Sequence, residues 1–178
     1  MKILAIDPGT TKSAYVVLDK NNFALLDYGI VSNQEMLTVI SRVARTLVAW
    51  HCVVEMVESY GMAVGKTVFE TVYWTGRFCE RWDMAWGGST RIYRRDVKKH
   101  LCNSMRAKDA NVRQALIDMY PATGGGKIPQ IGTKKNPGPL YGVSADVWAA
   151  LGVGVTYAAK LDTRTNEQKF SDFMEGVA

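Results

Sequence analysis

Along this chain the spacing of apolar residues changes from continuous to alternating to helical, and each change marks an element. Ile3, Leu4, Ala5 and Ile6 form an unbroken apolar run, which predicts a central strand over residues 2–6, covered on both faces and ending at Asp7. Pro8 and Gly9 supply the turn, proline by fixing φ and glycine by tolerating a left-handed conformation or a close ligand. Alternation through Ser13, Tyr15 and Val17 predicts a second, antiparallel strand that stops at the turn cluster Asp19-Lys20-Asn21-Asn22. Residues 23–30 supply a third strand, so the chain opens with a three-stranded meander.

Ser32 and Glu35 have capping-box spacing, and a helix is predicted to begin there. Met36, Val39, Ile40, Val43, Leu47 and Val48 recur at three and four residues, giving one core-facing stripe that runs to about Trp50. Residues 52–57 then read as a buried strand parallel to the first, with the helix as crossover, which makes an α/β unit. Glu55 lies within that strand, and an ionised carboxylate there is costly unless something pairs with it. If the two parallel strands are neighbours, Asp7 and Glu55 approach each other. Like charges about 4 Å apart repel by roughly 4 kcal/mol at an effective dielectric of 20. A divalent cation would resolve that conflict, as would a salt bridge from Glu55 to a nearby Lys or Arg. Alternation points Glu58 to the opposite face.

Residues 59–65 read as a loop with two glycines, and residues 67–82 as a helix. Its apolar side chains, Val68, Phe69, Val72, Tyr73, Trp74, Phe78 and Trp82, spread over more than one face, suiting either a thick core or a sheet on one side and a second subunit on the other. A short strand is predicted over 90–93, a short helix over 95–101, and a longer helix over 108–120 with Val112, Ala115, Leu116 and Met119 inward. Residues 121–142 are rich in Pro and Gly and carry Lys127, Lys134 and Lys135, predicting a long, mobile, cationic loop. Gly124-Gly125-Gly126-Lys127 lacks the preceding strand and the Lys-Ser/Thr pair of a nucleotide phosphate loop. Ser144 is a good N-cap for a small-residue helix over 145–159 with Asp146 in its first turn, where the helix dipole favours a carboxylate. The segment after Lys160 is polar, and 161–178 is expected to be a tail outside a single domain of residues 1–160.

Composition supports one domain: 178 residues, 47% hydrophobic, can bury one sizeable core. The net charge of +5 favours an acidic partner. That charge is concentrated between residues 91 and 113. Arg91, Arg94, Arg95, Lys98, Lys99, Arg106, Lys108 and Arg113 stand there against Asp96 and Asp109, an excess larger than that of the whole chain. Interleaved with Asn103, Ser104 and Asn111, these charges suit phosphate contact, which gives affinity and register rather than sequence choice. The three cysteines are widely spaced, implying neither a disulfide framework nor a zinc knuckle, so a reducing cytoplasm is expected. The first apolar run is too short for a signal peptide or a membrane span.

The ordered set of strand-Asp7-Pro8-Gly9 meander, strand with Glu55, and late helix opening with Asp146 resembles RuvC-type Holliday junction resolvases of the RNase H-like superfamily. The phage-encoded RuvC-like branch is the nearer likeness, through residues 54–62, Val64-Gly65, Phe69-Glu70-Thr71, residues 74–78, 108–116 and 144–151. The resemblance implies an α/β, RNase H-like fold: a mixed five-stranded sheet, three antiparallel strands followed by parallel ones, with helices on both faces. It places catalytic and metal-binding roles on Asp7, Glu55 and Asp146. A further acid would be expected one turn after Asp146, where this chain has Ala149, so an ion there would lean on Glu58, Ser144 or water.

Two Mg²⁺ ions per site, with Mn²⁺ as substitute, would suit all-oxygen ligands. The implied activity is nicking of two opposed strands of a four-way junction by a homodimer joined through the 67–82 helix, leaving 5′-phosphate and 3′-hydroxyl ends. DNA grip is expected from the loop carrying Tyr60, Met62 and Lys66, with Phe69 or Tyr60 stacking on an opened base. Arg91, Arg94, Arg95, Lys98, Lys99, Arg106 and Lys108 would add to it, as would the three lysines of the 121–142 loop.

Two other classes share features with the chain. Asp7-Pro8-Gly9-Thr10-Thr11 also resembles the first phosphate loop of the ATP-binding actin, sugar kinase and Hsp70 superfamily, whose members need two such domains where this chain has room for one. A non-catalytic module that binds branched DNA would be compatible with Ala149.

Overall fold

The computed structural model describes residues 1–46, 50–59, 61 and 63–161. Five strands, β1 (Lys2–Asp7), β2 (Lys12–Asp19), β3 (Leu25–Ser32), β4 (Trp50–Met56) and β5 (Thr90–Tyr93), form one sheet in the order β3-β2-β1-β4-β5. The β1/β2 and β2/β3 pairs are antiparallel, and β4 runs parallel to both β1 and β5. This is the mixed α/β sheet expected from the sequence. The short strand at 90–93 falls where the sequence puts it.

Alternation along the buried strands divides the core into two layers. Ile3, Ala5, Val53 and Ile92 face a layer built by α3 (Arg94–Cys102), α4 (Asp109–Asp118) and α5 (Val147–Leu161). Leu4, Ile6, Cys52 and Val54 face α1 (Asn33–Ala44) and α2 (Lys66–Trp86). The small residues of α5 are explained by its approach to the sheet: a Cβ on Gly154 would lie 2.5 Å from Leu18 Cδ1 and 3.1 Å from Ala5 Cβ. Close backbone approach of this kind needs glycine.

Helix α1 starts with the predicted capping box, Glu35 N–H donating to Ser32 Oγ at 3.2 Å and Ser32 N–H to Glu35 Oε2 at 2.9 Å. It ends at Ala44 rather than near Trp50, which already opens β4; Leu47 and Val48 lie outside the described residues. Helix α2 is longer than the predicted 67–82. Only Thr75, Phe78 and Trp82 of it are buried; Trp74 and Cys79 pack partly against the core, while Phe69, Val72 and Tyr73 stay exposed. In α4, Met119 is exposed and Ile117 with Tyr120 takes the inward positions, because the helix stops at Asp118 and the chain turns there.

The predicted mobile loop is instead tied by its own backbone. Gly124 N–H donates to Pro129 O, Gly125 and Thr133 N–H to Asn136 O, Gly138 N–H to Ile131 O and Leu140 N–H to Gln130 O, all at 2.8–3.0 Å. Leu140 is fully buried, and a Cβ on Gly132 or Gly138 would collide with backbone at 2.2 Å. The Pro and Gly content serves close packing of the loop on itself. Tyr28 Oη donates to the Tyr141 carbonyl and Tyr120 Oη to the Phe23 carbonyl, fastening this region to the β2–β3 hairpin. Among the described residues no helix is long and apolar enough to cross a membrane. The predicted tail, from residue 162 on, lies outside the described residues.

Candidate active site at the strand ends

Asp7 and Glu55 follow directly on Ile6 and Val54, the last register pair of the parallel β1/β4 ladder. Alternation puts both on the α3/α4/α5 side of the sheet, since Ala5 and Val53 face that layer. The turn after Asp7 is held rigid. Asn33 Nδ2 donates to the Gly9 carbonyl at 3.0 Å, Gly9 N–H to Ser13 Oγ at 3.2 Å, and Ser13 Oγ to Asn33 Oδ1 at 2.7 Å. A Cβ on Gly9 would lie 2.2 Å from the Lys12 carbonyl, so no other residue fits. A cleft of about 380 Å³ opens beside the two acids, walled by Pro8, Met56, Glu58, Val68 and Arg94 among others.

Burial, then the charges of Glu55 and Asp146, raises the Asp7 carboxyl to about 8, with Arg94 pulling the other way. Burial likewise raises Glu55 to about 7, against the opposing charges of Arg94 and Lys98. Asp146 is thus near enough for Asp7 to sense it. Helix α5 begins at Val147, two residues later than expected, because Ala145 takes a left-handed φ of 45°. Asp146 therefore precedes the helix, its carbonyl accepting from Ala149 N–H at 3.0 Å and Ala150 N–H at 3.1 Å. Its exposed side chain lines a second, larger cleft of about 700 Å³ together with Arg94, Asp109, Arg113, Trp148 and Ala149.

Arg94 belongs to both clefts. Its Nη2 donates to Asp109 Oδ1 at 2.9 Å, while its Nη1 stands 3.7 Å from Glu55 Oε2. Neither Arg94 Nη1 nor Glu55 Oε2, both buried, has a hydrogen-bond partner. The hydrogen bond from Arg94 holds the Asp109 carboxyl below its usual range. Among the described residues no three His, Cys, Asp or Glu side chains gather closely enough to hold one metal ion. A hard cation nevertheless suits what is there: two adjacent carboxylates, each held well above its ordinary proton affinity by burial, and an unpartnered buried oxygen on Glu55.

Glu58 is not turned away from this site. Strand β4 ends at Met56, so alternation does not extend to Glu58, which lines the same cleft as Asp7 and Glu55 and pairs with Arg95 Nη1 at 2.6 Å. The basic segment is also less free than its composition suggests. Arg94 and Lys98 engage Asp109, the latter at 3.7 Å, and Lys99 Nζ donates to Asn103 Oδ1 at 2.9 Å. Arg91 pairs in register with Val54 and faces the α1/α2 layer, where it lowers the pKa that burial raises at Cys79; it is separated by the sheet from the acids. Arg106, Lys108, Lys127, Lys134 and Lys135 are exposed, as are Lys66 and Phe69, the latter at 63%. Tyr60 and Met62 lie outside the described residues.

The sequence counts Arg113 only among the cations suited to phosphate and gives Asp109 no place in a site. Arg113 stacks over Trp148, 4.9 Å from the ring centroid, on the wall of the larger cleft. The only signal was indirect, a cation and an aromatic in two segments already singled out.

No protein-family model matches the chain, and no curated protein sequence matches it. Its fold does match solved structures. Thermus thermophilus RuvC is 17% identical, over 92% of this chain and 98% of that one, with a TM-score of 0.67. T. thermophilus RuvC in complex with a Holliday junction substrate is 16% identical, over 92% and 97%, with a TM-score of 0.64. The chain has a RuvC-like, RNase H-like α/β fold.

Proposed function

We propose that this protein is a structure-selective endonuclease that hydrolyses phosphodiesters of four-way DNA junctions, leaving 5′-phosphate and 3′-hydroxyl ends. The observation that carries the reading is the pairing of Asp7 and Glu55 at the ends of adjacent parallel strands, in a RuvC-like fold, with the charge of Asp146 felt at Asp7. A solved neighbour with the same fold has a Holliday junction bound, which supports branched DNA as the substrate class. The likeness of residues 54–62 and 144–151 to the phage-encoded branch is part of the same proposal.

Asp7 and Glu55, with Asp146 from the neighbouring cleft, are the residues that would hold divalent metal, two ions per site by analogy. When bound there, Mg²⁺ or Mn²⁺ supplies the positive charge that makes water nucleophilic and stabilises the departing 3′-oxygen. The chain's own part is to keep the acids buried and close, to fix the Asp7 turn through Asn33 and Ser13, and to offer cations to the phosphates. Lys108, Arg106 and the loop lysines, all exposed, would take that role. A homodimer through the exposed face of α2 would carry two such sites.

The test is Mg²⁺-dependent nicking of a synthetic four-way junction against linear duplex, with cut positions mapped. Asp7→Asn and Glu55→Gln should abolish cutting while junction binding survives or tightens, since phosphate is no longer repelled. Failure of the folded wild type to cut the junction in any metal would defeat the proposal. One observation favours a second reading, a branched-DNA-binding module without catalysis: among the described residues no three acids form a group able to hold one ion, and Ala149 stands one turn beyond Asp146. Tight junction binding with no cutting in Mg²⁺ or Mn²⁺ would select it.

A further inference from the structure

We propose that Arg94 is the resident cation of the acid cleft, a positioning residue whose guanidinium balances Asp7 and Glu55 while no metal is bound and withdraws to Asp109 when metal enters. The inference rests on the divalent-metal reading of the cleft and adds to it a residue that reading does not require. Arg94 opens α3 immediately after Tyr93, and Tyr93 is in register with Met56, so the fold delivers the guanidinium beside Glu55.

Its contacts are unequal. The hydrogen bond, 2.9 Å, goes to Asp109, whose side chain is 75% exposed, and the 3.7 Å approach goes to Glu55, whose side chain is 12% exposed. A guanidinium serving to lock a buried carboxylate would bond it in fork geometry, with both donors satisfied. Here the inner nitrogen and the inner oxygen face each other unbonded, each buried and without another partner.

The outer anchor is a hydrogen bond and the inner contact is only electrostatic, so the side chain can be drawn outward without breaking a buried hydrogen bond. A single positive charge also leaves the acids undercompensated, because Asp7, Glu55 and Asp146 act on one another. A divalent cation brings twice the charge and would displace the guanidinium, for which Asp109 already holds a place.

The experiment is calorimetric titration of Mg²⁺ into metal-free full-length protein at pH 8.5, where protons compete least for the acids. Arg94→Gln should bind Mg²⁺ about tenfold or more tightly than wild type, since a repelling charge roughly 4 Å from the ligands is gone. Arg94→Lys, which keeps the charge, should stay near wild type. Asp109→Asn removes the outer anchor and should weaken Mg²⁺ binding severalfold, a change opposite in sign to that of Arg94→Gln. In EDTA the Arg94→Gln protein should melt below wild type, with the gap closing at saturating Mg²⁺.

If wild type binds Mg²⁺ through Asp7, with binding lost in Asp7→Asn, and Arg94→Gln binds no more tightly, the resident-cation role is overturned and the metal reading stands. If none of the proteins binds Mg²⁺, both fall. Should Arg94→Gln fail to fold, the sign of the Asp109→Asn effect decides, unchanged or tighter binding overturning the proposal.

Discussion

Replacing Asp7 by asparagine should make the metal-free protein more stable, by an amount that grows with pH. The Asp7 carboxyl rests at about 8 in the fold against an ordinary 3.8, chiefly because burial disfavours its charged form and Glu55 and Asp146 repel it. The folded chain therefore holds this proton more tightly than the unfolded chain does. Between about pH 4 and 8 the unfolded state has released the proton and the folded state has not, so wild-type stability falls by up to about 1.4 kcal/mol per pH unit on this account. Asparagine carries no such dependence. The difference between variant and wild type should be near zero at pH 4, widen through pH 7 and level off above 8.

The four-unit interval sets a ceiling near 5 kcal/mol. Relaxation and water entry around the buried carboxyl will reduce it, and about 2 kcal/mol at pH 8 is a conservative expectation. For a chain of this length that is a rise of roughly 4–8 °C in melting temperature. Thermal unfolding of both proteins in EDTA from pH 4 to 9 measures the difference directly, and subtraction removes the opposing contributions of His51 and His100, whose pKa values burial lowers. Added Mg²⁺ should reverse the sign by stabilising wild type increasingly through pH 7–8 and Asp7→Asn little. A pH-independent difference, or an asparagine variant less stable at every pH, would refute the electrostatic account of the cleft.

Three further outcomes follow from the same structure. Ala149→Asp adds a carboxylate one turn beyond Asp146 on the wall of the larger cleft and should lower the Mg²⁺ concentration needed for half-maximal cutting; no change would mean another group already completes the site. Phe69 and Tyr73 are 63% and 56% exposed on α2, and the wild type should sediment at twice the 19.7 kDa chain mass, with Phe69→Glu/Tyr73→Glu at the single mass. A wild type that sediments as a monomer removes α2 as an interface. Gly138→Ala would set a methyl 2.2 Å from the Pro129 carbonyl and should cost at least about 1–3 kcal/mol in denaturant unfolding, whereas Gly76→Ala, with open space around it, should gain up to about 1 kcal/mol.

The meander and the parallel β1/β4 pair could be read from local pattern because each element rests on a strong local signal. An unbroken apolar run ending in Asp-Pro-Gly marks β1, and Ser32 with Glu35 marks the start of α1. What escaped depends on where elements stop and on distant partners. Glu58 was assigned by alternation to the wrong face because nothing in the sequence says that β4 ends at Met56. The 121–142 loop read as mobile because its glycines look alike whether they confer freedom or permit backbone contact. Only the fold shows carbonyls of Pro129 and Gln130 where a Cβ on Gly138 would go. Arg94 counted as one of eight basic residues, and its place between Glu55 and Asp109 depends on β5 lying beside β4.

The two tyrosine fastenings carry a consequence for how the chain reaches its native state. Tyr28 with Tyr141, and Tyr120 with Phe23, join points 113 and 97 residues apart, and α5 lays its glycine-bearing face against the two strands made first. Contacts of such separation form late, because a long stretch of chain must be closed before they gain anything. On the ribosome the amino-terminal meander would wait with one apolar side uncovered until α5 had been made. Premature termination anywhere before α5 should therefore yield an aggregating fragment rather than a smaller folded domain.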